Sequence, residues 1–436
     1  MKIGIICYPT YGGSGVVATE LGKALASAGH QVHFITYTQP PRLDFFNENI
    51  FFHEVSVASY PLFEYLPYES ALASKMVDVT INEQLDLIHV HYAIPHASAA
   101  YLAKQILKYK GIHVPVITTL HGTDITLVGR DPSFEPVVTF SINESDGVTA
   151  VSESLKNDTY AEFEILSNIE VIPNFIDLER FKKQPKEHFK LAICPNGEKL
   201  LMHTSNFRKV KRIEDIIRVF AKVQKQIPSK LLLVGDGPER TGIEALCRDL
   251  GVYHDVRFLG KLDTIEEALS LADLFLLTSE KESFGLAALE AMACEVPVIS
   301  SDAGGIPEVN IHGETGFVSE IGDIDDMVAN TIKILTDETL HTQMKANALA
   351  RAKEFSLEKI LPMYERYYEK VVKTTQITLL ILGFMLVASL LVTVTKTKFS
   401  SLRANLLQQD VAGVSAADRT KQLECLTRNI YWEAAS

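Results

Sequence analysis

Short apolar runs, each ending in glycine or small polar residues and each followed by a stretch with helical spacing, recur through the first 372 residues. In the first half they fall at residues 2–7, 32–37, 85–92, 114–120, 146–152 and 171–177. In the second half they fall at residues 200–205, 230–234, 256–259, 272–278, 296–300 and 315–318. Such runs carry no polar alternation, so both faces must be covered. That is the pattern of a parallel sheet sandwiched between helices. After the first run, Val17, Leu21, Ala24, Leu25 and Ala28 recur at helical spacing before Gly29 ends the segment. The expected fold class is therefore α/β, with a Rossmann-like lobe over residues 1–173 and a second over 174–355, facing each other across a cleft. Residues 356–372 read as a closing helix.

In open parallel sheets, ligands bind outside the carboxyl ends of the strands. Those loops are where chemistry is expected. Gly12-Gly13-Ser14-Gly15 follows the first strand but lacks the Gly-x-Gly-x-x-Gly spacing of a dinucleotide fingerprint. Its glycines still let backbone approach a ligand, and the helix start beyond Ser14 favours an anion. His89 and His91 point the same way along one strand, and Tyr92 follows them. A His-x-His pair can bind metal, yet no third ligand accompanies it. His121-Gly122-Thr123-Asp124 ends the strand that contains Thr119, which puts His121 at a reactive position.

In the second half, Arg208, Lys209, Lys211 and Arg212 crowd the loop after a strand, next to Asn206. The whole chain has a net charge of −13, so a nucleic-acid partner is disfavoured; the local cluster fits a diphosphate instead. Gly235-Asp236-Gly237-Pro238 ends another strand. Glu282 and Glu290 flank Ser283, Phe284, Gly285 and Leu286 at what reads as a helix start. Free N–H groups there suit a phosphate. About 12 Å of helical rise separates the two acids, so they grip different parts of a long ligand. The five cysteines are scattered and odd in number, which fits a reducing cytoplasm.

These motifs together resemble the retaining GT-B glycosyltransferases of the GT4 class over residues 1–372. The opening residues 4–17 and the run Ser205-Asn206-Phe207-Arg208-Lys209-Val210-Lys211-Arg212 are similar to one branch of that class. That branch moves N-acetylglucosamine from UDP-N-acetylglucosamine to the hydroxyl of L-malate in bacillithiol biosynthesis. The resemblance implies His121, Arg208, Lys211 and Glu282 at the reaction centre. It implies Gly15, Gly235, Phe284, Gly285, Leu286 and Glu290 around the donor. No metal and no cofactor are implied, and self-association is. Loop position and charge nominate Ser14, Tyr92, Thr119, Arg130 and Asn206 for the acceptor. Other acceptors of the class, an inositol phosphate, a lipid or a polysaccharide, stay open, as does epimerisation of the UDP-sugar.

Residues 374–395 break this pattern, with no charged residue and a composition rich in Leu, Val and Ile. They are long enough to cross a hydrocarbon core of about 30 Å. Lys and Arg flank both sides equally, so orientation is undetermined. Residues 396–436 are a polar tail. Its end, Cys425-Leu426-Thr427-Arg428-Asn429-Ile430-Tyr431-Trp432-Glu433-Ala434, resembles the opening helix of a family of cell-wall hydrolases, with Glu433 at the acid position. The rest of such a domain does not follow, so the tail reads as a fragment attached to a complete enzyme. The expected location is cytoplasmic, with any membrane association running through residues 374–395.

Overall fold

The computed structural model describes residues 1–10, 12–43, 47–57, 67–408 and 415–433. Tyr11, in the first glycine loop, lies outside them, as do Ala434 and the side chain of Glu433. Met1–Val372 forms one compact unit and Lys373–Ser436 a second.

The first unit holds two parallel sheets. One contains β1 (Lys2–Ile6), β2 (Gln31–Thr36), β3 (Ile50–Glu54), β4 (Leu87–His91), β5 (Val116–Leu120), β6 (Gly147–Ala150) and β7 (Ile169–Val171), in the order β3-β2-β1-β4-β5-β6-β7. The other contains β8 (Lys199–Thr204), β9 (Ser229–Val234), β10 (Val256–Gly260), β11 (Leu274–Leu277), β12 (Val298–Ser301) and β13 (Gly316–Ser319), in the order β10-β9-β8-β11-β12-β13. Both are doubly wound, as the apolar strand pattern requires. β1, β4 and β5 are almost wholly buried, and helices cover both faces. Strand order reverses beside β1 in one sheet and beside β8 in the other. Those two switch points open crevices at the strand ends.

Two strand expectations need adjustment. β3 and the helix Tyr68–Glu83 carry no clear pattern in the sequence. β3 is an edge strand with only Ile50 fully buried, so its burial signal is weak. The closing helix does not stop at Val372 either: it is the start of the helix Leu357–Gln408, which carries Pro362 in its second turn and Gly383 further on. Its first turns complete the first lobe's core. Ile360, Tyr364, Tyr367, Tyr368 and Val371 pack with Ile3, Ile5 and Phe34. The Tyr368 hydroxyl bonds His89 Nδ1 at 2.7 Å, and Tyr367 donates to the Val148 carbonyl at 3.1 Å. The chain thus crosses between lobes twice, and the crossings meet where Ile176 bridges to Ser356.

Within the second unit, the apolar stretch is helical and its side chains are exposed, Leu380 at 73% and Phe384 at 76%. The helix is long and apolar enough to cross a membrane, by length and composition. A buried core helix would have covered those groups. The tail forms a further helix, Ala416–Glu433.

Ending the chain after Val372 should therefore leave the two-lobed unit folded. The truncated protein is expected to remain soluble without detergent, with the parent's far-UV circular dichroism per residue of the first unit. Aggregation or lost cooperativity on heating would show that the tail supports the fold.

Candidate active site

The loops after β1, β4, β5, β8, β9 and β11 line one cleft of about 1640 Å³. At its floor the lobes touch. Ser152 Oγ donates to the Ser283 carbonyl at 2.6 Å. The Glu308 carboxylate accepts the N–H groups of Glu153 and Ser154 at 3.0 and 2.8 Å, capping the helix Glu153–Glu162 from the opposite lobe. Lys281 reaches the Thr126 carbonyl at 3.2 Å.

On the second lobe, Asn206, Arg208 and Lys211 follow β8 into the cleft, as the strand-end argument expects. Gly235 follows β9 at φ 120, and a Cβ there would collide with the Ser205 carbonyl, so only glycine lets these two loops close up. Lys211 Nζ is 2.6 Å from Glu282 Oε2, so two of the expected reaction-centre residues are ion-paired with each other. Lys211 is thus not a free phosphate ligand in this state; an arriving anion must compete with Glu282. Arg208 differs: among the described residues its guanidinium has no carboxylate partner, and its charge acts on the Tyr92 phenol. Gly285, at φ 93 and ψ 42, caps the helix Leu286–Ala293, whose first residues Leu286 and Ala287 face the cleft. Phe284 lines the same wall, its ring edge-on to Phe355 at 5.5 Å.

Glu290 opens on the cleft one turn further along that helix, with its carboxyl group crowded by protein. Burial pushes it up to about 7. Arg42 and Arg180 oppose that rise, and Glu266 adds to it. Arg42, in the segment after β2, also lines the cleft. It lies outside every recognisable motif, and only folding brings it near Glu290.

The first lobe supplies Ser14, Tyr92 and His121. Ser14 Oγ donates to the Tyr92 hydroxyl at 2.7 Å. Tyr92 sits at φ 87, an unfavourable setting for a residue with a Cβ, and its N–H is held by the Thr119 carbonyl at 2.9 Å. His121 is 7% exposed and shares a hydrogen bond with His91, Nε2 to Nδ1, at 2.8 Å. Burial, then the neighbouring His96, pushes its pKa down to about 3, so the ring is neutral. Asp124 anchors this loop by accepting N–H bonds from Ala93 and Gly122 at 2.9 and 3.0 Å; burial raises it to about 6.

Three nominated residues sit differently from expectation. Thr119 is fully buried within the sheet, its Oγ1 bonded to His89 and Thr149 at 2.7 Å each, and it does not face the cleft. Gly15 is buried and is not among the residues that line the cleft, although Ser14 and Val16 on either side are: a Cβ would strike Tyr8 and Thr10, so glycine here lets the helix start pack on the β1 loop. Arg130 reaches the cleft mouth but is paired with Glu162 at 2.5 Å. Alternation along a strand places Thr119 on a face of the sheet; it cannot say that the closing helix, through Tyr364 and Tyr368, packs over that face.

Two parallel-sheet lobes around a cleft with cations, a helix N-terminus and two acids define a nucleotide-sugar transferase of the GT-B type. Family models agree: "Glycosyltransferase Family 4" matches residues 11–180 and "Glycosyl transferases group 1" matches residues 183–351. The chain belongs to the GT4 family of GT-B glycosyltransferases. It is 51% identical to the N-acetyl-alpha-D-glucosaminyl L-malate synthase of Bacillus anthracis, over 86% of this chain and 98% of that protein. The D-inositol 3-phosphate glycosyltransferase of Rhodococcus erythropolis is 28% identical over 62% of this chain and 65% of that one. Among solved structures, Anabaena Alr3699/HepE in complex with UDP and glucose superposes with a TM-score of 0.71 at 21% identity, over 85% of this chain and all of that one, which shows the shared fold.

Because folding raises Glu290, its contribution to stability is full below the unfolded value near 4.5 and is lost as pH rises through about 7. If ribose hydroxyls donate to the ionised carboxylate, UDP-N-acetylglucosamine affinity should rise over the same window. Calorimetry from pH ~5 to ~8 is expected to show both trends, and Glu290→Gln should flatten both. A parent-like slope in that variant would assign the titration to another group.

Proposed function

We propose that this protein transfers N-acetylglucosamine from UDP-N-acetylglucosamine to the hydroxyl of L-malate, with retention at the anomeric carbon and no metal in the chemical step. The observation that carries this reading is the 51% identity spanning 98% of a protein named for that product.

The chain's own groups supply what the reaction needs. The departing UDP gathers negative charge on its β-phosphate. Arg208 is poised for it without a competing carboxylate, and the first N–H groups of the helix Leu286–Ala293 face the same space. Lys211 joins by exchanging Glu282 for phosphate, which frees the carboxylate beside the transferred sugar. Glu290 accepts the ribose hydroxyls. The neutral His121 borders the sugar without adding a charge that would oppose a developing oxocarbenium ion. On the front-face route that the family resemblance implies, the sugar–phosphate C–O bond breaks, the malate oxygen bonds to the anomeric carbon from the same side, and the leaving phosphate oxygen takes the hydroxyl proton.

Malate is a dianion. The start of the helix Ser14–Ser27 and the Ser14–Tyr92 pair offer N–H and O–H donors on the first lobe, and Asn206 offers an amide opposite. Arg130 can serve only by leaving Glu162. A cytoplasmic location follows from the substrates this reading assigns, with residues 374–395 as the segment available for membrane attachment.

The test is product formation from UDP-N-acetylglucosamine with L-malate, against D-malate, an inositol phosphate and no acceptor. The L-malate glycoside should form with the α-configuration and in the presence of a chelator. Arg208→Ala is expected to lower kcat/KM by at least ~100-fold, the scale of one lost transition-state donor. Turnover without acceptor would favour epimerisation, and preference for another acceptor would move the protein elsewhere in the family. Loss of activity in chelator would overturn the metal-free step.

A further inference from the structure

Outside the cleft, one cluster of ligating side chains has no part in sugar transfer. His33 lies in the middle of β2, His53 near the end of β3, and Glu83 closes the helix Tyr68–Glu83. In the β2–β3 register His33 stands opposite Phe51 and His53 opposite Ile35, so the two imidazoles are diagonal neighbours on one face. One ligand atom from each of His33, His53 and Glu83 lies within 4.8 Å of the others. His33 Nδ1 and His53 Nε2 are 3.0 Å apart, and the His33 ring is stacked on Phe51 at 4.7 Å, which fixes its orientation. None of the three lines the cleft.

The three donors differ in burial: His33 is buried, and His53 and Glu83 are half-buried. Glu83 sits on the last turn of its helix, where the carbonyl dipoles repel a carboxylate. Among the described residues its carboxylate has no hydrogen bond and no Lys or Arg partner. Lys2, the cation beside it, gives its ammonium to the Glu83 backbone carbonyl at 2.8 Å instead. Lys2 acts on His33 and Lys75 on His53, but among the described residues neither ammonium is bonded to the Glu83 carboxylate.

We propose that His33, His53 and Glu83 form a binding site for a divalent transition-metal ion of the zinc type, with water in the open fourth position. Imidazole and carboxylate donors suit zinc, whereas magnesium and calcium call for oxygen alone. Zinc–nitrogen bonds of ~2.0–2.1 Å in a tetrahedron place the two nitrogens about 3.3 Å apart, a few tenths beyond their present separation. The half-buried His53 and Glu83 can turn to meet the ion while His33 stays clamped. Bound there, the ion staples the edge strand β3 and the helix Tyr68–Glu83 to β2. It stabilises the fold by mass action and leaves the transfer chemistry alone.

The test uses the full chain, without a polyhistidine tag, stripped by chelator and dialysed at neutral pH. Zn2+ is titrated in competition with a chromophoric chelator, and Co2+ is followed by the visible absorption of a four-coordinate ion. One equivalent per chain is expected, with a raised thermal midpoint. His53→Gln and Glu83→Gln should each weaken that site by ~100-fold or more, since even an outer-shell partner is worth ~10–100-fold. Both variants should keep parental circular dichroism and turnover, because neither residue touches the cleft. Absence of four-coordinate Co2+ absorption in the parent, or retention of the equivalent by both variants, would overturn the site.

Discussion

Parallel strand pairing is the constraint on which the rest of this structure depends. A parallel strand cannot return by a tight turn, so a crossover, in most cases a helix, follows each strand, and every strand in a sheet ends on the same side; β2 reaches β3 without a helix. Two such sheets bring loops from both lobes together around one cleft. Motifs far apart in the chain, such as Ser14, His121, Arg208 and Glu290, meet there although none is a neighbour of another in sequence. The cost of parallel pairing is complete burial of the strands on both faces, which explains why they are so apolar.

Within that frame the cleft is an electrostatic device in an acidic protein. Its cations are held in different states. Arg208 is uncommitted, Lys211 is neutralised by Glu282, and Arg130 by Glu162. A ligand that carries its own negative charge can reorganise the paired ones, at the cost of breaking a half-buried ion pair. The acids differ just as much. Glu282 has a cation beside it, whereas Glu290 is crowded enough to titrate near neutrality. The lobes are tied through Ser152, Ser283 and Glu308, which sets the second lobe's Arg208, Lys211, Glu282 and Glu290 in one cleft with the first lobe's Tyr92 and His121.

The closing helix has a second structural role. By returning to the first lobe, Tyr364 and Tyr368 join the core with Ile3 and Ile5 of β1 and Leu87 of β4, and Tyr368 bonds His89 on the strand beside β5. The buried chain from Tyr368 through His89 and Thr119 to Thr149 is a fully packed polar ladder. It accounts for Thr119 pointing into the sheet and not at a substrate. Beyond Val372 most of the large apolar side chains from Ile377 to Val394 are exposed, and the helix is apolar and long enough to cross a membrane.

Much of the fold was legible in the chain because burial on two faces leaves a continuous apolar run. β1, β4, β5, β8 and β9 all show it, whereas the edge strand β3 and the helix after it, each half-exposed, do not. The local motifs also announced themselves, since a glycine at φ 120 such as Gly235, or a helix start after Gly285, is written in a few neighbouring residues. What the sequence determined by itself was therefore local: the strand runs, the glycine turns, the clustered cations and the family they spell. Only the tertiary structure decided the rest: that Lys211 pairs with Glu282, that Arg42 comes near Glu290, that Thr119 is buried in a hydrogen-bonded ladder, and that His33, His53 and Glu83 meet. Each of those depends on distances between segments far apart in the chain, and spacing along a sequence carries no information about distance through space.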